Sequence, residues 1–334
     1  MKIWSILCLI FFSLQVYSQQ NLTSHQQDPI KLKEFKPKSL SFKEYPSKID
    51  EPHWTDYSDT LNKKRVYGVS GGAVAITVST LLVLNEAWYK NYPKSDFHTF
   101  DDWNEWEGVD KFGHAYSSYY IGVLGYNSLK WSGVNERSSI AFGATWGFVY
   151  QTLFEVMDGY SSQWGFSWGD MAANTIGTGL FIGQQLAWGQ QRITPKFSFQ
   201  QTQYPQYRPN LLGENFAQQI LKDYNGQTYW LSTNIHSFLN KGSKFPKWLA
   251  VSVGYGATGM TGGSSNPDRD ENGQPIPHFD RYSQFYFSLD IDMHRIKTKS
   301  RLVNSIFTAF GMIKFPLPTL EFNTNGVAFH PIYF

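Results

Sequence analysis

"YSQFYFSLDIDM", Tyr282 to Met293, alternates residue by residue: Ser283, Phe285, Phe287, Leu289, Ile291 and Met293 fall on one side, Tyr282, Gln284, Tyr286, Ser288, Asp290 and Asp292 on the other. A period of two is the signature of a β-strand. The stretches "WLAVSVGYG" from Trp248, "VNSIFTAFGM" from Val303, "GVAFHPIYF" at the end and "TYWLSTNIHSF" from Thr228 read the same way. Roughly five strands following one another predict an antiparallel sheet. The closing Tyr333-Phe334 resembles the aromatic ending of outer-membrane barrel strands, but roughly five strands fall short of the about eight in the smallest such barrels. The sheet is therefore expected to pack on the helical half, on a partner or against a membrane.

Upstream the period changes. Val66 to Asn85 runs without a charge, preceded by Lys63-Lys64-Arg65 and followed by Trp88 and Tyr89. That length and those flanks suit either a membrane-embedded helix or a buried bundle helix. Three more helices are expected over about Lys111 to Leu129, Glu136 to Met157 and Trp168 to Trp188. Each of the four carries closely spaced glycines (Gly68/Gly72, Gly122/Gly125, Gly143/Gly147, Gly179/Gly183), which let helix backbones approach. A polar, proline-containing linker from Thr194 to Asn210 and a short amphipathic helix near Glu214 to Lys222 join this half to the strands. The whole reads as α+β: a four-helix membrane-apposed or membrane-embedded bundle, then a roughly five-stranded antiparallel β-rich C-terminal part. The expected divisions are 1–18 signal peptide, 19–60 extended polar arm, 61–192 helical domain, 193–213 linker and 214–334 β-rich region.

Export follows from the beginning of the chain. Lys2, the apolar run Ile3 to Leu14, and Val16-Tyr17-Ser18 before Gln19 form a secretory signal. The only cysteine, Cys8, lies inside that run and lacks the small residues that precede a lipidation cysteine. The mature protein is thus expected to have no disulfide, thiol nucleophile or thiolate metal site. Pro29, Pro37, Pro46 and Pro52 interrupt the polar arm. Charged residues make up 17 % of the chain and aromatics another 17 %. The usual charged share is about 25 %, so the balance points to a lipid or large apolar partner. A net charge of +2 gives no footing for nucleic acid.

The chemistry-bearing residues gather at helix ends. Asp110 and His114 are i,i+4 with Lys111 beside them, Glu155 and Asp158 are i,i+3 at the end of the third helix, and Asp170 and Asn174 are i,i+4 at the start of the fourth. Ser167, three residues ahead of Asp170, suits a capping box with Asp in place of Glu. With antiparallel neighbours, all three sets converge at one end of the bundle. Ionisable groups in such a place pair, bind a metal or work. One reading is a structural network in which Lys111 neutralises a carboxylate. A second is a divalent metal, with His114, Asp110, Glu155 and Asp158 as candidate ligands. In the third, His114 is a general acid or base, oriented by Asp110 or Glu155, with Lys111, Asp158, Ser167, Asp170 and Asn174 positioning substrate or network. No nucleotide or flavin signal accompanies them. Trp103, Trp106, Trp164 and Trp168 bracket the set. "DRDENG", Asp268 to Gly273, has the first half of a calcium loop but Phe279 where the loop needs Glu, and reads as a solvated turn.

"WEGVDKFGH" (Trp106 to His114), "EVMDG" (Glu155 to Gly159) and "FSWGDMAANTIG" (Phe166 to Gly177) together resemble the YfiM-like family of predicted periplasmic lipoproteins, a domain of unknown function. More faintly they are similar to VanZ-like membrane proteins. The resemblance spans about Trp103 to Trp188 and implies an envelope location and a small helical domain; neither family supplies a reaction. The sequence thus supports an exported protein at the outer membrane or its periplasmic face. It acts on an envelope lipid or glycolipid by acid/base chemistry, or is a non-catalytic envelope component with envelope protein partners.

Overall fold

The computed structural model describes residues 57–87, 93–240 and 242–334; the expected signal peptide, most of the polar arm and the Trp88-Tyr89 flank lie outside the described residues. Helices come first: α1 (Lys63–Ala87), α2 (Val109–Trp131), α3 (Trp146–Asp158) and α4 (Trp168–Trp188). A helical turn Glu136–Ser138, capped by Asn135 accepting from the Ser138 amide at 2.9 Å, and a π-helical turn Ser139–Ala144 lead into α3. α2 is gripped between its neighbours at two glycines. A Cβ on Gly147 would stand 2.0 Å from the Ser118 carbonyl oxygen, and one on Gly177 2.0 Å from that of Ala115. Beyond these contacts Tyr119, Tyr120, Val123 and Phe181 form the apolar core.

The expected four-helix bundle is not what the described residues form. α2, α3 and α4 pack together, while α1 is little buried, with Thr77 and Thr80 covered, and meets α2 through Arg65, whose guanidinium lies 4.3 Å over the Trp131 ring and donates to the Trp131 carbonyl at 3.0 Å. Gly68 and Gly72 face open space, as do Gly179 and Gly183. Small residues permit close approach but supply no partner, and only the two inner pairs have a facing helix. By length and composition, Lys63–Val83 could cross a membrane.

The C-terminal half is one six-stranded antiparallel meander, β1 to β6 in chain order: β1 (Ile193–Phe199), β2 (Gln227–Asn234), β3 (Leu249–Thr258), β4 (Tyr282–Ile291), β5 (Leu317–Asn323) and β6 (Gly326–Tyr333). Two expectations are corrected here. Residues 193–199, assigned to a linker, are an edge strand whose Pro195 and Lys196 disguise the alternation. Residues from Val303, taken for a strand, belong to helix α6 (Arg301–Phe310), because Leu302, Ile306 and Phe310 recur at helical spacing and Ser300 caps the Val303 amide at 3.3 Å. A short α5 (Phe216–Lys222) precedes β2 where an amphipathic helix was expected. Asp268–Gly273 is a turn in which Asp270 accepts from the Asn272 and Gln274 amides.

The sheet is polar inside and apolar outside. On β4, Tyr286, Ser288 and Asp290 are buried, whereas Phe285, Phe287 and Leu289 are exposed. Across the sheet, register aligns Leu231, Val253, Phe287, Leu320 and Phe329 in one outward row, exposed by 44, 56, 47, 37 and 62 %. The buried face pairs most of its polar groups, the Ser252 hydroxyl excepted. Lys196 pairs with Asp290 at 2.7 Å, both side chains fully buried, and Ser232 donates to the same carboxylate at 2.5 Å. Lys314 donates to Ser288 and to the carbonyls of Leu289 and Phe315, and burial lowers its pKa to about 8. The sheet curls enough for Thr228 on β2 to meet the Tyr333 hydroxyl on β6 at 3.0 Å. Residues 312–314 cover the outer edge of β1, and β6 forms the other edge.

Candidate functional site

The start of α2, the end of α3 and the start of α4 meet at one end of the bundle, together with the loop that precedes α2. Lys111 is the hub. Its ammonium lies 2.7 Å from Asp102 Oδ2, 2.9 Å from Asp110 Oδ2 and 2.9 Å from Asp170 Oδ1. Burial opposes the charge on Lys111, but Asp110 and Asp170 outweigh it and raise its pKa. Burial likewise works against ionised Asp102, yet hydrogen bonds from Lys111 and Ser167 prevail and hold it below the usual carboxylate range. Asp110 is pushed up to about 6, by burial first and the charge of Asp170 second, against the pull of Lys111.

Ser167 ties the end of α3 to the start of α4. Its hydroxyl accepts from the Asp170 amide at 3.0 Å, as an N-cap does, and donates to Asp102 Oδ1 at 2.5 Å. The reciprocal half of a capping box is supplied by Glu155, whose Oε2 accepts from the Ser167 amide at 3.3 Å, rather than by Asp170.

His114 stands between two carboxyl groups. Its Nδ1 is 3.7 Å from Glu155 Oε1 and its Nε2 3.7 Å from Asp170 Oδ2. Asn174 Oδ1 lies 3.3 Å from Nδ1 and also accepts from the Ser118 hydroxyl at 2.9 Å, while Gln151 Nε2 approaches Nδ1 at 3.4 Å. The His114 side chain is 24 % exposed, against 1 % for Glu155 and 9 % for Asp170, so the imidazole is the member that reaches solvent. Burial, then the charges of Asp170 and Asp158, push the Glu155 carboxyl up to about 9. Burial also raises Asp170, against His114 and Lys111. Four buried atoms of this cluster have no hydrogen-bond partner among the described residues: Asp110 Oδ1, Glu155 Oε1, Asn174 Nδ2, and Asp170 Oδ1, which has the Lys111 ammonium at 2.9 Å as an ion-pair partner.

Of the residues singled out from the sequence, Asp110, Lys111, His114, Glu155, Ser167, Asp170 and Asn174 come together. Asp158 is not among the donors that converge; three residues beyond Glu155 it is turned about 60° around the helix. It acts on Glu155 through its charge. Asp102 was missed. The signal was the acidic pair Asp101-Asp102 just before Trp103, but only the fold shows that Asp102 turns inward while Asp101 accepts from the Trp103 amide at the surface. Trp103 and Trp168 stand exposed by 56 and 66 %, next in sequence to Asp102 and Ser167.

Donor atoms of His114, Glu155 and Asp170 lie within 4.8 Å of one another, and those of Asp102, Asp110 and Asp170 do the same. In the second group the Lys111 ammonium takes the place a cation would occupy. The first can take up or release a proton or hold a divalent ion. No curated protein and no solved structure matches the chain. Residues 98–182, which carry the whole of this site, match the model of the DUF2279 family, described as a predicted periplasmic lipoprotein, and this shows the YfiM-like resemblance over that segment and supports an exported, periplasmic location.

Proposed function

We propose that His114, Glu155 and Asp170 form an acid–base centre acting on an envelope lipid or glycolipid at the periplasmic face of the outer membrane. The observation that carries this reading is the buried Glu155 Oε1, without a hydrogen-bond partner and held 3.7 Å from the His114 imidazole, the member of the cluster that reaches solvent. An orphaned carboxyl oxygen in a buried site is costly unless it works with a neighbour. His114 exchanges a proton with a substrate hydroxyl or a water. Glu155 and Asp170, one toward each ring nitrogen, are positioning residues that set which nitrogen holds it. Lys111 and Ser167 fix those carboxyls in turn. The exposed indoles of Trp103 and Trp168 supply an amphipathic rim suited to a substrate with an apolar body and a polar head.

A second reading has its own support: the mutual 4.8 Å spacing of the same three donors also suits a divalent cation, which would meet Glu155 Oε1. The Lys111 half of the cluster, with its carboxylates already paired, favours a structural role for that half alone. His114→Ala and Glu155→Gln, each with thermal unfolding of the purified protein and envelope lipids of the producing strain measured, decide the matter. Altered lipid or glycolipid with retained folding is expected. Unchanged lipids with retained folding overturn the acid–base proposal, and metal content that disappears with His114 moves it to the cation reading.

A further inference from the structure

The sheet reverses the polarity of a water-soluble sheet on the strands from β2 to β5. Its covered side holds Lys196 and Asp290 as a fully buried ion pair, a Glu321 carboxylate 2.7 Å from His330, and the hydroxyls of Ser232 and Ser288. Its open side presents Leu231, Val253, Phe287, Leu320 and Phe329 in one row, with Phe285, Phe322 and Val327 in the next, a row whose β3 member Tyr255 is instead covered by Phe112 of α2. No charged residue occupies either row. Alternation with the apolar residues turned outward is what hydrocarbon selects, because water selects the opposite. A contiguous patch of this extent is foreign to the surface of a soluble monomer.

Two further features choose a bilayer over a protein partner. Beyond the end of β4, exposed Lys297 and Lys299 lead into α6, whose Leu302 and Ile306 are exposed by 71 and 43 % on one helix face. Basic residues flanking an amphipathic helix with an outward apolar stripe suit anionic headgroups above and acyl chains below. Upstream, the little-buried α1 has the length and composition of a span. We infer that the outward face of β2 to β5 is a lipid-contact surface seated in bilayer hydrocarbon, with α6 at the headgroup level. An open strand edge is not tolerated in hydrocarbon, so β6, which forms the edge of the sheet, stays shallower than the centre. The inference is independent of the His114 site.

The test uses the full chain with Cys8→Ser and single cysteines introduced by Val253→Cys, Phe287→Cys, Leu302→Cys and, as an aqueous reference, His278→Cys, whose side chain is 89 % exposed. Each carries a nitroxide and is reconstituted in vesicles of phosphatidylethanolamine and phosphatidylglycerol. Collision rates with oxygen and with a water-soluble nickel chelate are then compared. At positions 253 and 287 oxygen is expected to outweigh the chelate several-fold, at 278 the reverse, with 302 between. Chelate access at 253 and 287 equal to that at 278 overturns the inference. Access to neither reagent overturns it too, since a second copy or a protein partner then covers the face. Both positions are already exposed, and Leu231→Cys serves as a third should either variant fold poorly.

Discussion

The packed helices and the sheet both bury aromatic rings, but they place their charged and aliphatic groups differently. Between α2, α3 and α4 lie backbone contacts at glycine and an aromatic core, with ionisable groups confined to one end. Inside the sheet lie an ion pair, hydroxyls and a lysine around the aromatic trio Trp230, Tyr286 and Tyr333, with aliphatic and aromatic residues on the outside. The difference teaches that one chain can solve burial twice: by bringing backbones together, and by pairing polar groups on a covered face while the apolar side faces outward.

The strongest way to break the comparison is Asp290→Ala. It strands fully buried Lys196 and is expected to cost about 3–5 kcal/mol in denaturant unfolding in micelles. Replacing both partners together by apolar residues should recover most of that loss, because the pair owes its value to mutual neutralisation. In the bundle, Gly147→Ala and Gly177→Ala each push a Cβ against a carbonyl oxygen and are expected to cost about 1–3 kcal/mol by the same measurement.

The polar end of the bundle sharpens the contrast through pH. Glu155 holds its proton up to about 9 when folded, against an ordinary 4.5, so the folded state binds more protons than the unfolded one between those values. Stability therefore falls as pH rises through that window, by up to about 1.4 kcal/mol per pH unit from this one group. Glu155→Gln should remove that slope, and an unchanged pH profile of unfolding would count against a buried neutral carboxyl. The smallest expected effect is Gly179→Ala, which meets nothing and should raise stability by up to about 1 kcal/mol.

Much of this was legible in the sequence, for reasons that can be named. The alternation from Tyr282 to Met293 is unambiguous as a strand, and i,i+4 spacing with antiparallel connectivity brings Asp110, His114, Glu155 and Asp170 to one place. Period two, however, defines two faces without saying which of them meets water, so the inverted polarity of the sheet stayed hidden. β1 was concealed by Pro195 and Lys196, and β5 by Pro316 and Pro318, residues that weaken a strand signal while remaining acceptable toward its ends or on an edge. The apolar residues of α6 were misread because the window began at Val303, omitting Leu302 and with it the helical spacing. Asp102 sits in a loop, where no periodicity indicates which carboxylate turns inward.

The turn immediately ahead of α2 carries a consequence for assembly. Trp106 and Glu107 are both held in left-handed backbone geometry, with φ of 52°, which non-glycine residues rarely accept without support. That support comes from far along the chain: the Trp106 amide donates to the Gly263 carbonyl, the Tyr255 hydroxyl to the Glu107 carbonyl, and Arg281 pairs with the Glu107 carboxylate at 3.1 Å. Asp102 and Lys111 come well before Tyr255 and Arg281 in the chain. The entrance to the polar cluster thus depends on contacts of long sequence separation, from β3 and the residue just before β4, which are expected to form later than the local contacts of the helices.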